Sequence, residues 1–339
     1  MIPRPFPACL KAFLAGLLLA ALLPSLALAA SLKHNHQAIN SISRAYGFVV
    51  GQSIALNVIE NAHPALAGDV LSARLAFNSA FPDAEDKLEA ELAAVFGADR
   101  FALMRNETAS MLTEVMTRER WSVEQARAFI AGMKRRAQGE GVEQDILEYL
   151  LAAVYAAEPS AEFANGFRQR FRSDGSGKAQ GLKLRLQLPV SWAGADGDRP
   201  HIVRKWTSEG GNGNATILLD IRDAQGFAPT RADVERFVAG GGARELAGDD
   251  GELLDASVVT LETLPGVSAE LRTPLGRADL NMVSWVQVYR LYFRGKALSL
   301  VCMNLGAEGE AVIVEQAFRR IQPLCRQVVN SLVLEQLYE

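Results

Sequence analysis

Imidazole and thiol chemistry have little to draw on in this chain: four histidines and three cysteines among 339 residues. His34 and His36 flank Asn35 near the start, His63 stands before Pro64, and His201 follows Pro200. A general base must lie within hydrogen-bond reach of the proton it takes, held there by an ordered element. Only His201 heads a segment that reads as a strand of the sheet domain. His34-Asn35-His36 offers two imidazoles, half of a tetrahedral zinc shell. Asp249-Asp250-Gly251-Glu252 has oxygen ligands without calcium-loop spacing and reads as a solvated turn. No metal and no cofactor is therefore expected.

Motifs for phosphate and acyl chemistry fail at defined positions. Gly175-Ser176-Gly177-Lys178-Ala179 ends like a phosphate-binding loop, but Arg172 replaces its first glycine and Ala179 its magnesium-binding hydroxyl. Gly211-Asn212-Gly213-Asn214-Ala215-Thr216 lacks the last glycine of a dinucleotide fingerprint. Gly266-Val267-Ser268-Ala269-Glu270 lacks the second glycine of a nucleophile elbow and falls between strands. A Ser-His-acid triad stays open as an alternative, because its members need not be neighbours in sequence. No catalytic residue is assigned.

Two sets of residues remain. Trp192, His201, Arg204 and Trp206 are the candidate ligand-binding residues, an aromatic and basic group around the first strands. Core packing is the competing reading for the two tryptophans. Alternation puts Arg204 and Trp206 opposite His201, so the four converge only if the strand bends. Cys302 shares a strand face with Leu298 and Leu300, while Cys325 lies on a helical stripe with Phe318, Ile321 and Leu332. Both sulfurs should meet at one helix-sheet interface, where an oxidising compartment would join them as a disulfide.

The elements that must position these residues fall into two blocks. From about Ser41 to Phe171 the chain is rich in Ala, Leu and Glu, with apolar residues three and four apart, and reads as about six helices. His63-Pro64 and Phe81-Pro82 break it, since proline disfavours a helical residue before it. Gly97-Ala98-Asp99 reads as a stop and an N-cap, followed by a helix burying Phe101, Met104, Met111, Leu112 and Val115. Ser122 with Gln125 matches a capping box, and Gly139 and Gly141 precede a helix over 143–157.

Residues 172–180 are polar and glycine-containing and are expected to be a linker between a helical domain, 30–171, and a second domain, 181–339. Beyond them the period changes to two. Strands are expected over 182–188, 201–206, 215–221, 256–263, 268–273, 282–293 and 297–305, with a hairpin at Arg294-Gly295-Lys296. One helix starts at the N-cap Thr230 and stops at Gly240-Gly241-Gly242; another runs over 311–334. The order predicts an α+β protein: an all-α domain followed by a three-layer αβα sandwich with a mainly antiparallel sheet.

The head of the chain has Arg4 and Lys11, an apolar stretch from Ala12 to Leu23, and Ala27-Leu28-Ala29, the three regions of a signal peptide over 1–29. The stretch is shorter than the ~20 residues of a membrane span, and Cys9 precedes it rather than closing it. Cleavage leaves 310 residues with 33 basic against 39 acidic side chains, a net charge of −6. That balance gives no reason to expect nucleic acid. A periplasmic or secreted protein, without a transmembrane segment once the signal is removed, is expected.

Leu188-Pro189-Val190-Ser191-Trp192, Arg199-Pro200-His201-Ile202-Val203, the long hairpin and the final Val329-Asn330-Ser331-Leu332-Val333 resemble the PsbP/Mog1-like fold group, which includes exported bacterial proteins similar to DcrB. The resemblance covers 181–335 and leaves the helical domain unmatched. It implies a three-layer αβα sandwich and a non-catalytic binding, assembly or chaperone-like role, with a protein or peptide partner in the cell envelope. An envelope hydrolase with its site between the two domains is the alternative.

Overall fold

The computed structural model describes residues 36–277 and 280–339. The expected signal peptide, Cys9 and His34 lie outside them. The chain divides into two compact units between Val154 and Tyr155.

The described part of the first unit has six α-helices: α1 (His36–Ala62), α2 (Ala67–Ala80), α3 (Ala84–Phe96), α4 (Ala98–Arg118), α5 (Val123–Arg136) and α6 (Gln144–Val154). α1 is the centre, burying Ile42, Tyr46, Val49, Leu56 and Ile59 together with small Ser43, Gly47 and Gly51 that let its neighbours approach. Pro64 opens a short 3-10 turn after α1. Ser122 and Gln125 form the expected capping box: the Gln125 side chain accepts from Ser122 N at 2.8 Å and Ser122 Oγ accepts from Gln125 N at 3.2 Å. Gly97, Gly139 and Gly141 all take positive φ. Burial drives the Arg136 guanidinium pKa down. It lies over the Phe129 ring and donates to Gln52 at 2.7 Å.

α4 differs from expectation. It starts at Ala98 with Gly97 at the N-cap, and Asp99 lies in its first turn without capping it. It buries Phe101, Leu112 and Met116, while Met111 and Val115 are exposed. Two apolar stripes about 100° apart run along this helix, each with three- and four-residue spacing, and the sequence does not mark which one faces inward.

The second unit opens with the short helix α7 (Pro159–Ala164) and holds two sheets in which every pairing is antiparallel. Seven strands run in the order β3-β4-β5-β9-β8-β7-β6: β3 (Ala193–Asp196), β4 (Ile202–Thr207), β5 (Ala215–Asp223), β6 (Glu252–Leu261), β7 (Leu264–Arg277), β8 (Leu280–Phe293) and β9 (Lys296–Ala307). A smaller sheet has the order β1-β2-β10, from β1 (Arg168–Asp174), β2 (Lys183–Pro189) and β10 (Val333–Leu334). Helix α8 (Arg231–Ala239) covers one face of the large sheet, with Val234 packed against Val267, Leu271 and Val286. Helix α9 (Ala311–Asn330) covers the other, where Phe318, Ile321, Leu324 and Val328 join Leu219, Leu298 and Leu300. Leu184, Leu186 and Leu188 of the small sheet belong to the same core, each worth ~1.5–3 kcal/mol when fully buried. The architecture is the expected three-layer αβα sandwich.

Local signals explain the connections. Arg294 and Gly295 take φ of 51° and 70°, the paired positive values of a two-residue I′ turn, and close the β8-β9 hairpin as expected. Thr230 caps α8 in a reciprocal pair with Asp233.

Three strands were not expected, and the first moves the boundary. Residues 172–180 are no linker: they are the end of β1 and the turn that returns as β2, tied by Ser173 Oγ donating to the Leu182 carbonyl at 3.2 Å. Gly175 has φ +91°, and a Cβ there would stand 3.1 Å from the Gly181 backbone. A tight turn and a linker share Gly and Ser, so composition alone does not separate them. β3 is only four residues long and β10 two. The closing helix ends at Asn330, and Leu332 and Leu334 enter the core from beyond it.

Candidate functional site

The four residues singled out in the sequence do not form one site. Trp192 and Trp206 are each 2% exposed and belong to the core. The Trp206 ring meets Phe171 edge to face at 5.2 Å, and Gly194 opposite it has no room for a Cβ, which would lie 2.9 Å from the indole Nε1. Packing of this kind is why both rings are there, and neither is presented to a ligand. Arg204 is spent on the edge of the large sheet, donating to Asp196 Oδ1 at 2.6 Å and to the Gly194 carbonyl at 3.1 Å.

His201 lies apart from them. Its carbonyl accepts from Ile221 N, and a register shift between Ile202 and Arg204 follows it. Its Nε2 is 3.5 Å from Asp220 Oδ2. Asp220 is buried and accepts from Arg222 Nε at 3.1 Å. Across β5 and β9, Asp220 stands opposite Ser299, whose Oγ accepts from Arg290 Nε at 2.9 Å. Among the described residues no hydrogen bond joins the Ser299 hydroxyl to the His201 imidazole, the contact that serine activation needs. Asp220 thus has His201 and Arg222 as its partners, and Ser299 has Arg290.

Cys302 on β9 and Cys325 on α9 do meet. Both are free and buried, in the same core between helix and sheet. Burial, reinforced by the second thiol, holds the Cys302 thiol well above the ordinary thiol range. Among the described residues there is no cluster of three or more metal-ligating side chains, and no helix is long and apolar enough to cross a membrane.

Two features escaped sequence reasoning. Glu162 of α7 is 1% exposed, accepting from Ser191 N at 2.8 Å and lying 2.5 Å from Ser191 Oγ. Burial outweighs these bonds and pushes its pKa to about 7. Only the fold brings these distant residues together.

The other is the outer face of the small sheet. Arg168, Arg170 and Arg172 alternate along β1 and are exposed, while Gln169, Phe171 and Ser173 turn inward. Directly opposite stand Gln187 beside Arg170, Arg185 beside Arg172 and Lys183 beside Asp174. Glu335 lies 3.0 Å from Arg172 and 3.1 Å from Arg185, and Glu339 is 3.0 Å from Lys183. Arg168 rests on the Phe163 ring and donates to the Phe163 carbonyl at 2.6 Å. Arg170 has no ion pair or side-chain hydrogen bond among the described residues. The signal was present as Arg-x-Arg-x-Arg, a period-two pattern whose exposed positions are charged and whose inward ones are only weakly apolar.

No protein-family model matches the chain, and no curated protein matches it. Three solved structures illustrate the likeness that is found. Cyanobacterial PsbP (CyanoP) from Synechocystis is 17% identical, with a TM-score of 0.30, over 49% of this chain and 92% of its own. The Ran-binding protein Mog1p from Saccharomyces cerevisiae is 9% identical, with a TM-score of 0.34, over 49% and 95%. LpqN of Mycobacterium tuberculosis, involved in cell envelope biogenesis, is 15% identical, with a TM-score of 0.27, over 49% and 90%. The chain is similar to these proteins over about half its length. That likeness concerns architecture alone.

Proposed function

We propose that this chain is an exported, non-catalytic binding or assembly protein that holds a protein or peptide partner of the cell envelope on the small sheet of its second unit. One observation carries the reading. Five cationic side chains, Arg168, Arg170, Arg172, Lys183 and Arg185, share one face with three carboxylates, Asp174, Glu335 and Glu339, in a chain whose net charge is −4. A local excess of positive charge against the overall sign steers and selects a partner of opposite charge. Export brings two further features: cleavage near Ala30 and, in an oxidising compartment, a bond between Cys302 and Cys325.

Complementation tests the reading. A strain lacking the protein is supplied with R170E/R172E or H201A, and partner capture from the envelope is scored beside the melting temperature of each variant. Charge reversal at Arg170 and Arg172 should abolish capture with little change in melting, because both side chains are exposed and a surface ion pair contributes little. His201→Ala should retain function within a few fold. Loss of function on His201→Ala with unchanged melting, while charge reversal is tolerated, would overturn the binding reading in favour of a hydrolase.

A further inference from the structure

We infer that the free edge of β1 binds an extended polypeptide segment in which acidic and apolar residues alternate, added antiparallel as a further strand beside Arg170 and Arg172. This rests on the protein-partner reading above and names the partner's chemistry.

The edge is defined by hydrogen-bond phase. β1 is the outer strand of β1-β2-β10. In an antiparallel ladder alternate residues exchange main-chain bonds with the neighbour, and those between turn their N–H and C=O outward. Val190 N donates to the Phe167 carbonyl at 3.2 Å. Carried along the register, that bond pairs 167, 169, 171 and 173 with β2 and leaves the main chain of Arg170 and Arg172 facing away. Neither has another main-chain partner among the described residues. The Arg168 amide is already used by the Gly166 carbonyl at 2.9 Å, so the opening is at 170–172.

Side chains set the sequence that fits. Same-face residues of a strand recur about every 6.5–7 Å, and an added strand has the same repeat. Its residues directly opposite Arg170 and Arg172 share their exposed face, where a carboxylate finds a cation. Arg170 is unpaired and Arg172 shares Glu335 with Arg185. The residues between lie on the side of Gln169 and half-buried Phe171 and favour apolar side chains. Charge on an edge also rejects indiscriminate pairing, so the edge selects for acidic strands. An anionic bilayer would satisfy the arginines but leave the outward N–H and C=O groups unmatched, and the chain's net charge of −4 opposes its approach.

The test is fluorescence anisotropy on the full chain with labelled eight-residue peptides. A peptide alternating Glu and Val should bind, and the same composition in two blocks should bind at least ~10-fold more weakly, since it cannot match the two-residue repeat. The phase is specific: Glu is the residue exchanging main-chain bonds with Arg170. N-methylation of the Glu amides should abolish binding, and N-methylation of the Val amides should leave it within a few fold. Arg170→Gln should weaken binding by removing charge. Arg170→Pro should weaken it further, because it deletes an outward N–H and no ladder donor; the melting temperature of both variants should stay near that of the parent. Equal affinity for the block peptide, indifference to which amides are methylated, or binding to phosphatidylglycerol vesicles without binding to the alternating peptide would overturn the inference. If the peptides fail while a photo-crosslinker at position 170 still captures the partner lost in R170E/R172E, strand addition falls and the protein-partner reading stands.

Discussion

Glu162 shows what one residue costs and holds at the same time. Its carboxyl is surrounded by the Ser191 amide and hydroxyl and by apolar packing, and burial raises its pKa from the ordinary 4.5 to about 7. Between those values the folded protein keeps a proton that the unfolded chain has released. The group therefore costs nothing below pH 4.5, stability falls as pH rises from 4.5 to 7, and the loss is constant above. The shift corresponds to about 3 kcal/mol at alkaline pH. Glu162→Gln keeps an acceptor for Ser191 N and offers a donor to Ser191 Oγ, imitating the protonated acid. The variant should melt higher than the parent at pH 8 and equally at pH 4. A parent-like fall in stability between pH 4.5 and 7 in the variant would show that Glu162 is not the group responsible.

At the scale of elements, α9 is held to β9 by side-chain packing and by the meeting of Cys302 with Cys325. This meeting was legible in the sequence, because a strand face and a helical stripe each have a fixed period and each cysteine falls on the apolar side of its own. What was not legible was the end of the helix: Leu332 and Leu334 continue the apolar pattern past Asn330, yet the chain turns there to pair with β2 as β10. The same limit applied to α4, where two apolar stripes competed, and to Trp206, whose burial follows from Gly194 on the neighbouring strand and Phe171 of the small sheet. In an oxidising compartment the two thiols should be oxidised to a disulfide, adding ~3 kcal/mol in the loop-entropy model. Mass spectrometry after alkylation without reductant should then find neither cysteine modified. Two alkylated thiols in denatured, unreduced protein from the envelope would refute the bridge.

For the whole molecule, the boundary is the point at which composition and structure part. Gly and Ser after Arg172 look like a hinge, but the chain divides at Val154 and Tyr155, and α7 and β1 belong to the sheet unit. The alternating apolar residues of β5, β8 and β9 identified the large sheet, and those of β2 one strand of the small sheet, because their core sides are strongly hydrophobic. β1 stayed hidden because its outer face is arginine, and the candidate edge with it. The consequence can be measured with two fragments. Residues 155–339 carry α7, β1 and both sheets complete, with Phe163 in the core and Phe171 against it, and should melt as one cooperative unit. Residues 181–339 keep every strand expected from the sequence but lose β1, the Glu162–Ser191 bonds and Phe163. β2 would then become an edge with its ladder to β1 unmade and Leu184, Leu186 and Leu188 partly uncovered. Removing Phe163 alone from a packed core costs ~3–5 kcal/mol, a large share of the ~5–15 kcal/mol that a domain has in total. The shorter fragment should be unfolded or aggregated at a temperature where the longer one is folded. Equal melting temperatures would place the boundary at 172–180 after all and make β1 an appendage of the second unit rather than part of its core.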